Sequence, residues 1–292
     1  MRKIDALALG GTLFVPAVHK DLEAVASGAK YPRLRSVVVD TEDGIAETQL
    51  ESALERVEAL LRNMVPGGPL RFLRPRNPEV LERLLRCEGI EKIDGFVLPK
   101  FGLENAERYL NAVGEHTFMP SIEGRELFDD AALAALRELL LPHSDRIVAI
   151  RFGAEDMLRQ LGMRRECSRT LYDLCAPSRV IGGVLAAFKP WGFDVAAPVY
   201  PCYRDTEGFE AELRRDLTEG LVGKTLIHPD QIESVERIYR VAPEELEAAE
   251  ALLKSEMAVF GSKGRMAETA TQSGWAEIIM QRAEYFGMNG AI

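Results

Sequence analysis

Charged residues recur at one point in the sequence pattern, the ends of short apolar runs. Residues 36–40 run into Asp40-Thr41-Glu42-Asp43-Gly44, residues 70–73 into Arg74-Pro75-Arg76-Asn77, and residues 95–98 into Pro99-Lys100. Residues 117–122 end at Glu123-Gly124, residues 147–152 at Gly153-Ala154-Glu155-Asp156, and residues 224–227 at His228-Pro229-Asp230-Gln231. Any one of these reads as a solvated loop or a helix cap, but their repetition on the same end of successive runs does not. Glu123 and Asp156 end neighbouring runs. Two carboxylates that leave four positions open suit magnesium, which keeps several waters and accepts substrate oxygens. Asp40 and Glu42 share one face of an extended segment, with Asp43 on the other. Carboxylates so close need cations nearby, and Arg74, Arg76 and Lys100 from the next two runs supply them. Arginine grips a carboxylate through two parallel hydrogen bonds, so Arg74 or Arg76 is a candidate anchor for an anionic substrate. Ordinary rim salt bridges are the alternative for Arg76. His228 reads as a hydrogen-bonded structural histidine. Cys202 has no histidine near it in sequence to activate it as a nucleophile.

These residues need a scaffold that presents one end of every run to a common space. Eight runs rich in valine, isoleucine and phenylalanine, at 13–18, 36–40, 70–73, 95–98, 117–122, 147–152, 193–199 and 224–227, are predicted strands. Amphipathic segments separate them, which predicts a parallel sheet covered on both faces. Eight units of about 30 residues fit an α/β (β/α)₈ TIM barrel, whose chemistry sits on the loops after the strands. An open doubly wound sheet is the rival, but no glycine-rich phosphate loop follows any run, and Gly10-Gly11 reads as a turn. The barrel is expected over residues 1–231. Residues 232–292 are expected to form a helical extension that packs on the barrel or on a neighbouring subunit. In it Pro243, Glu244 and Glu245 open a helix, with Leu246, Ala249, Leu253, Met257 and Phe260 as its apolar stripe. Residues 261–274 read as a polar loop and residues 275–286 as a last helix.

Composition narrows the partners. Over 292 residues, 46 acidic side chains against 36 basic ones give a net charge of −10. A nucleic-acid binder would carry the opposite balance, so any anionic ligand must be held by local cations. No apolar run reaches the 18 residues of a membrane span. Met1-Arg2-Lys3 and the apolar residues after them read as the approach to a first strand rather than a signal peptide, because Asp5 and Gly10-Gly11 interrupt them. Four cysteines without a C-x-x-C pair predict a reduced, cytoplasmic setting and no cysteine-rich zinc site.

With these residues in view, the sequence resembles the citrate lyase beta-subunit-like branch of the HpcH/HpaI aldolase superfamily along almost the whole chain. The likeness rests on Leu13-Phe14-Val15-Pro16, Val38-Val39-Asp40-Thr41-Glu42-Asp43, Arg74-Pro75-Arg76-Asn77, Leu98-Pro99-Lys100, Ser121-Ile122-Glu123-Gly124 and Phe152-Gly153-Ala154-Glu155-Asp156. It continues at Asp205-Thr206-Glu207-Gly208-Phe209 and from Gly223-Lys224-Thr225 to Asp230-Gln231. The resemblance implies a barrel in which Glu123 and Asp156 bind magnesium and Arg74, or failing it Arg76, holds the carboxylate of a 2-oxo acid. It also implies a carbon–carbon lyase acting on a 3-hydroxyacyl thioester or hydroxy-oxo acid, with Asp40, Glu42 and Glu268 as candidates for proton transfer or for supporting the cations, in a homo-oligomer, a trimer by likeness. Two departures stand out. Ala17-Val18-His19-Lys20 lacks the basic cluster of members that use coenzyme A, and Gly264-Arg265-Met266-Ala267-Glu268 ends in glutamate where the family has aspartate. The alternatives left open are a pyruvate-class aldolase acting without coenzyme A and a catalytically silent barrel serving as a binding subunit.

Overall fold

The computed structural model describes residues 4–262 and 264–290. Met1, Arg2 and Lys3, with which the signal-like reading begins, lie outside the described residues. Eight parallel strands form one sheet: β1 Gly11–Pro16, β2 Ser36–Asp40, β3 Leu70–Arg74, β4 Gly95–Leu98, β5 Phe118–Ile122, β6 Arg151–Phe152, β7 Ala196–Ala197 and β8 Val222–Leu226. Their order is β6-β5-β4-β3-β2-β1-β8-β7, and a parallel bridge from Ile150 to Val195 brings the two ends together. This is the expected (β/α)₈ barrel. Its strands are β-branched and buried on both sides; Val37, Val38 and Val39 of β2 are at most 1% exposed. The helices between them bury one stripe each. Leu50–Asn63 turns Ala53, Leu54, Val57, Leu60 and Leu61 inward. Asn77 caps the helix Pro78–Leu84 by accepting a hydrogen bond from Val80 N at 2.9 Å, with proline in the first turn where no donor is needed.

Register sets the height of the functional residues. Asp40 pairs with Arg74 across β2 and β3, and Ile122 pairs with Phe152 across β5 and β6. Glu123 and Gly153 therefore leave the barrel at the same level. Strands β6 and β7 are only two residues each, shorter than expected, because the chain around them pairs through single bridges such as Phe118 to Ile147.

The chain divides into two compact units, Met1–Ile232 and Glu233–Ile292. The second unit builds its own small core from Val241, Ala249, Leu252, Ala267, Ala276 and Ile279. It departs from expectation in two places. The helix Pro243–Lys254 ends at an extended Ser255, so Met257 and Phe260 do not continue its stripe, Leu252 is buried, and Leu253 is exposed. The predicted loop is instead an antiparallel hairpin, β9 Val259–Ser262 and β10 Arg265–Glu268, followed directly by the helix Thr269–Phe286. Gly264 at φ +78° supplies the left-handed residue that such a tight turn needs. Among the described residues no helix is long and apolar enough to cross a membrane.

The cysteines also correct the sequence reading. Cys167 and Cys202, 35 residues apart, form a disulfide with a Cα–Cα separation of 5.8 Å. Spacing arithmetic searches for local pairs, whereas these two meet because the loops that carry them fold together. Ser168 N donates to Asp205 Oδ2 at 2.8 Å, and the Tyr200 hydroxyl donates to the same oxygen at 2.5 Å.

Candidate active site

Asp40 and Arg74 form the centre of the polar cluster at the strand ends. Arg74 Nε and Nη2 donate to the two oxygens of Asp40 at 2.7 and 2.8 Å. Asp40 also accepts from Glu42 N at 2.9 Å and Gly44 N at 3.1 Å. With four donors and 3% exposure, the lone pairs of Asp40 are all engaged. Burial works against the charge on Arg74, but the Asp40 bonds outweigh it and its pKa is raised. Arg74 Nη1 also stands 3.1 Å from Glu42 Oε2, an ion pair whose angle falls short of a hydrogen bond. Glu42 Oε1 accepts from Lys100 Nζ, which also donates to Asp43 Oδ1 at 2.9 Å and lies 3.9 Å from Glu123 Oε2. Lys100 makes these contacts from a left-handed backbone, φ +47°, which a lysine adopts only under constraint from its surroundings.

Glu123 is 6% exposed, and burial raises its pKa above the usual carboxylate range, against the pull of Ser121 and Arg74. Its Oε2 is buried without a hydrogen-bond donor. Glu123 and Asp156 flank Gly153, where an added Cβ would come within 2.7 Å of Glu123 Cγ and 3.2 Å of Asp156 Oδ2. The pair expected from sequence to bind a metal is therefore brought together around a residue that must be glycine for reasons of space. Asp156 Oδ1 accepts from Arg159 at 2.9 Å. A second grouping was not foreseen: oxygens of Glu42, Asp43 and Glu123 lie within 4.8 Å of one another. All these donors are hard carboxylate oxygens, and together with the donorless Glu123 Oε2 they fit a magnesium-like cation. Beside them opens a cavity of about 580 Å³ lined by Lys100, Asn105, Glu123, Arg125, Asp156 and Arg159 among others.

Asp43 is the residue that sequence reasoning set aside. Alternation along an extended segment puts it opposite Glu42, but the chain turns here, with Ile45 N donating to Glu42 O at 3.0 Å, and the carboxylates converge. Burial, then repulsion from Asp156 and Asp40 against the pull of Arg74, raises the pKa of Asp43. The glycine at 44 was the available signal for a turn. Arg76 does not join the carboxylates; its Nη2 donates to the carbonyls of Glu42 and Ile45 and so braces that turn. Glu268 lies in the second unit, at the start of the helix Thr269–Phe286, where its Oε2 accepts from Thr271 Oγ1 at 3.1 Å. His228 stacks on Tyr203 with ring centroids 4.3 Å apart, and Cys202 is held in its disulfide.

Residues 3–288 match the family described as "C-C_Bond_Lyase of the TIM-Barrel fold". Among curated relatives, a (3S)-malyl-CoA thioesterase of Cereibacter sphaeroides is 26% identical over 220 residues, covering 73% of this chain and 72% of the relative. Citrate lyase subunit beta of Escherichia coli K12 is 26% identical over 304 residues, covering 94% of this chain and 93% of its own. Among solved structures, protein CitE of Mycobacterium tuberculosis, in complex with magnesium, acetoacetate and coenzyme A, superposes with a TM-score of 0.71 at 25% identity. That alignment covers 96% of this chain and 99% of the other.

Proposed function

The chain belongs to the carbon–carbon bond lyase family of the TIM-barrel fold, and from that premise we propose a magnesium-dependent lyase that cleaves, or in reverse forms, the bond joining a 2-oxo acid to an acyl thioester. The observation that carries this reading is Glu123, whose buried Oε2 has no donor and which stands beside Asp156 around Gly153. A buried carboxylate oxygen without a partner is costly unless a cation completes it. Glu123 and Asp156 would hold the magnesium, which would supply Lewis-acid chemistry at a substrate oxygen.

The chain's own residues do the rest. Asp40 takes the Nε–Nη2 edge of Arg74 and so fixes the plane of the guanidinium, Arg74 turns its remaining Nη1–Nη2 edge to the substrate carboxylate, and Arg76 braces the turn that carries Glu42 and Asp43. Lys100 offsets the negative charge of Glu42, Asp43 and Glu123 and offers a second cation to the substrate. Asp43, raised in pKa and within reach of Lys100, is the carboxylate best suited to move a proton; Asp40 is fully occupied, and Glu42 is held by two cations. Glu268 is the second proposed acid, by its place at the end of Gly264-Arg265-Met266-Ala267-Glu268. Magnesium and coenzyme A in the related M. tuberculosis protein support a thioester substrate here.

The test is release of a 2-oxo acid, trapped as its phenylhydrazone, from malyl-CoA, citramalyl-CoA or citryl-CoA with magnesium present. Chelation by EDTA, Glu123→Gln and Asp156→Asn are each expected to reduce turnover by at least 100-fold, roughly the loss of a Lewis acid worth several kcal/mol. Full activity in both variants sinks the metal assignment. Free coenzyme A without a 2-oxo acid points instead to thioester hydrolysis, and turnover of a free hydroxy-oxo acid to an aldolase without a carrier.

A further inference from the structure

Inside the barrel lies a cation that the proposed reaction does not use. Arg151 of β6 is 4% exposed inside the barrel. Its guanidinium donates to Thr225 Oγ1 and Thr12 Oγ1, both at 3.0 Å, and to Met119 Sδ at 3.4 Å. It makes no ion pair with any carboxylate among the described residues. Buried Arg71 is different, because its guanidinium donates to the backbone carbonyls of Ala26, Val65 and Gly67. Two hydroxyls and a thioether compensate a charge far less well, and a buried ion without a counter-ion is destabilising relative to an apolar side chain of the same size. Burial, and then repulsion from Arg74, push the pKa of Arg151 down to about 9, which leaves it charged at neutral pH.

The ring of Phe14 connects this charge to the site. Its centroid is 5.0 Å from the Arg74 guanidinium carbon and 5.5 Å from that of Arg151, so one aromatic ring takes two cations. Arg74 is already matched by Asp40 and Glu42, Lys100 by Glu42 and Asp43, and Arg159 by Asp156. Arg151 is therefore a positive charge without an ion pair of its own among the described residues, in a low-dielectric interior where its field reaches further than it would in water.

We propose that Arg151 is a specificity-determining residue whose field favours a 2-oxo acid carrying a second carboxylate over a monocarboxylic one. It acts through the interior and does not touch the ligand, so its effect scales with ligand charge rather than with any one contact. The proposal rests on the lyase reading above, and it narrows the oxo acid to the dicarboxylic class.

The experiment is calorimetric binding of oxaloacetate and pyruvate, which differ by one carboxylate, to the full chain in the presence of magnesium. Arg151→Met is expected to weaken oxaloacetate about tenfold and pyruvate about threefold, because a field acts on each ligand charge. Arg151→Lys, which keeps the charge, is expected to stay within about threefold of the parent for both acids. Arg151→Met leaves Thr225 bonded to the Ala197 carbonyl and Thr12 to Ser36, so no threonine is stranded. Should it not fold, Arg151→Gln carries the same comparison. Equal weakening of both acids, or none, overturns the proposal while leaving the lyase reading intact. Failure of the parent chain to bind either acid overturns both.

Discussion

Gly153 is a direct test of the site because its role is spatial. Its φ of −85° is open to any residue, so an added methyl is excluded by Glu123 and Asp156 alone. Gly153→Ala is expected to weaken magnesium at least tenfold by calorimetry, roughly the 1.4 kcal/mol that displacing one ligand oxygen would cost. Its unfolding midpoint should fall as well, by about 1 to 3 kcal/mol of crowding against buried Glu123, so the magnesium affinity is read on the folded protein. Unchanged magnesium affinity would show that Glu123 and Asp156 do not share an ion. At this scale the sequence was informative wherever a polar side chain ended an apolar run, as with Asp40, Arg74, Lys100, Glu123 and Asp156. It misplaced Asp43, because period-two alternation holds only while the chain stays extended, and residues 42–45 form a turn. Arg151 was hidden for a related reason. A single arginine in an apolar run gives no sign of whether it points into the barrel or out of it.

Elements are held in place by charges that no local pattern reveals. Lys224 of β8 is fully buried, donating to Glu212 Oε1 at 2.9 Å and Asp216 Oδ2 at 2.7 Å on the helix Thr206–Thr218. Arg165 donates to the other oxygen of Glu212, and the Tyr172 hydroxyl to Asp216 Oδ1 at 2.7 Å. Two cations and two anions so buried are close to neutral as a set, but removing one strands the others. Lys224→Met is expected to cost about 3 to 5 kcal/mol, read as a lower urea midpoint; a loss under about 1 kcal/mol would show that the network is dispensable. Asp205 caps that helix by accepting from Gly208 N at 3.0 Å. The Tyr200 hydrogen bond, then the backbone donors Gly208 and Ser168, lower its pKa against burial. A lowered carboxylate stabilises the fold above its unfolded pKa of about 3.9, and the gain disappears as pH falls through the folded value. Asp205→Asn should therefore lower the urea midpoint at pH 7 and leave it nearer the parent's at pH 3; an equal deficit at both pH values would exclude the charge as the cause. Strand and helix existence was legible from apolar runs and amphipathic spacing. The β9–β10 hairpin was not, since four-residue strands around Ser262-Lys263-Gly264 carry too few apolar residues to outweigh a loop-like composition.

At the scale of the whole molecule, length and strand count were enough to specify a barrel, but the cysteine count did not reveal the pairing of Cys167 with Cys202. A 35-residue loop closed by Cys167 and Cys202 is expected to contribute about 3 to 4 kcal/mol by restricting the unfolded chain. Dithiothreitol should lower the unfolding midpoint of the parent and not that of Cys202→Ser, and an insensitive parent would show that the two thiols stay reduced. The second unit raises the question of assembly. Leu253, Met257, Val259, Met266, Trp275 and Ile278 are each more than 40% exposed, within a unit that runs only from Glu233 to Ile292. Six large apolar side chains exposed within some sixty residues make an apolar contact surface the reading to test. The net charge of −10 opposes self-association at long range, so any such contact must be apolar and close. We therefore expect light scattering to return a multiple of the 32.4 kDa chain mass, with a trimer first among the options. Trp275→Glu combined with Ile278→Glu should reduce it to the monomer, because each buried glutamate would lack a partner. A parent chain that is monomeric at micromolar concentration would assign this apolar surface some other purpose.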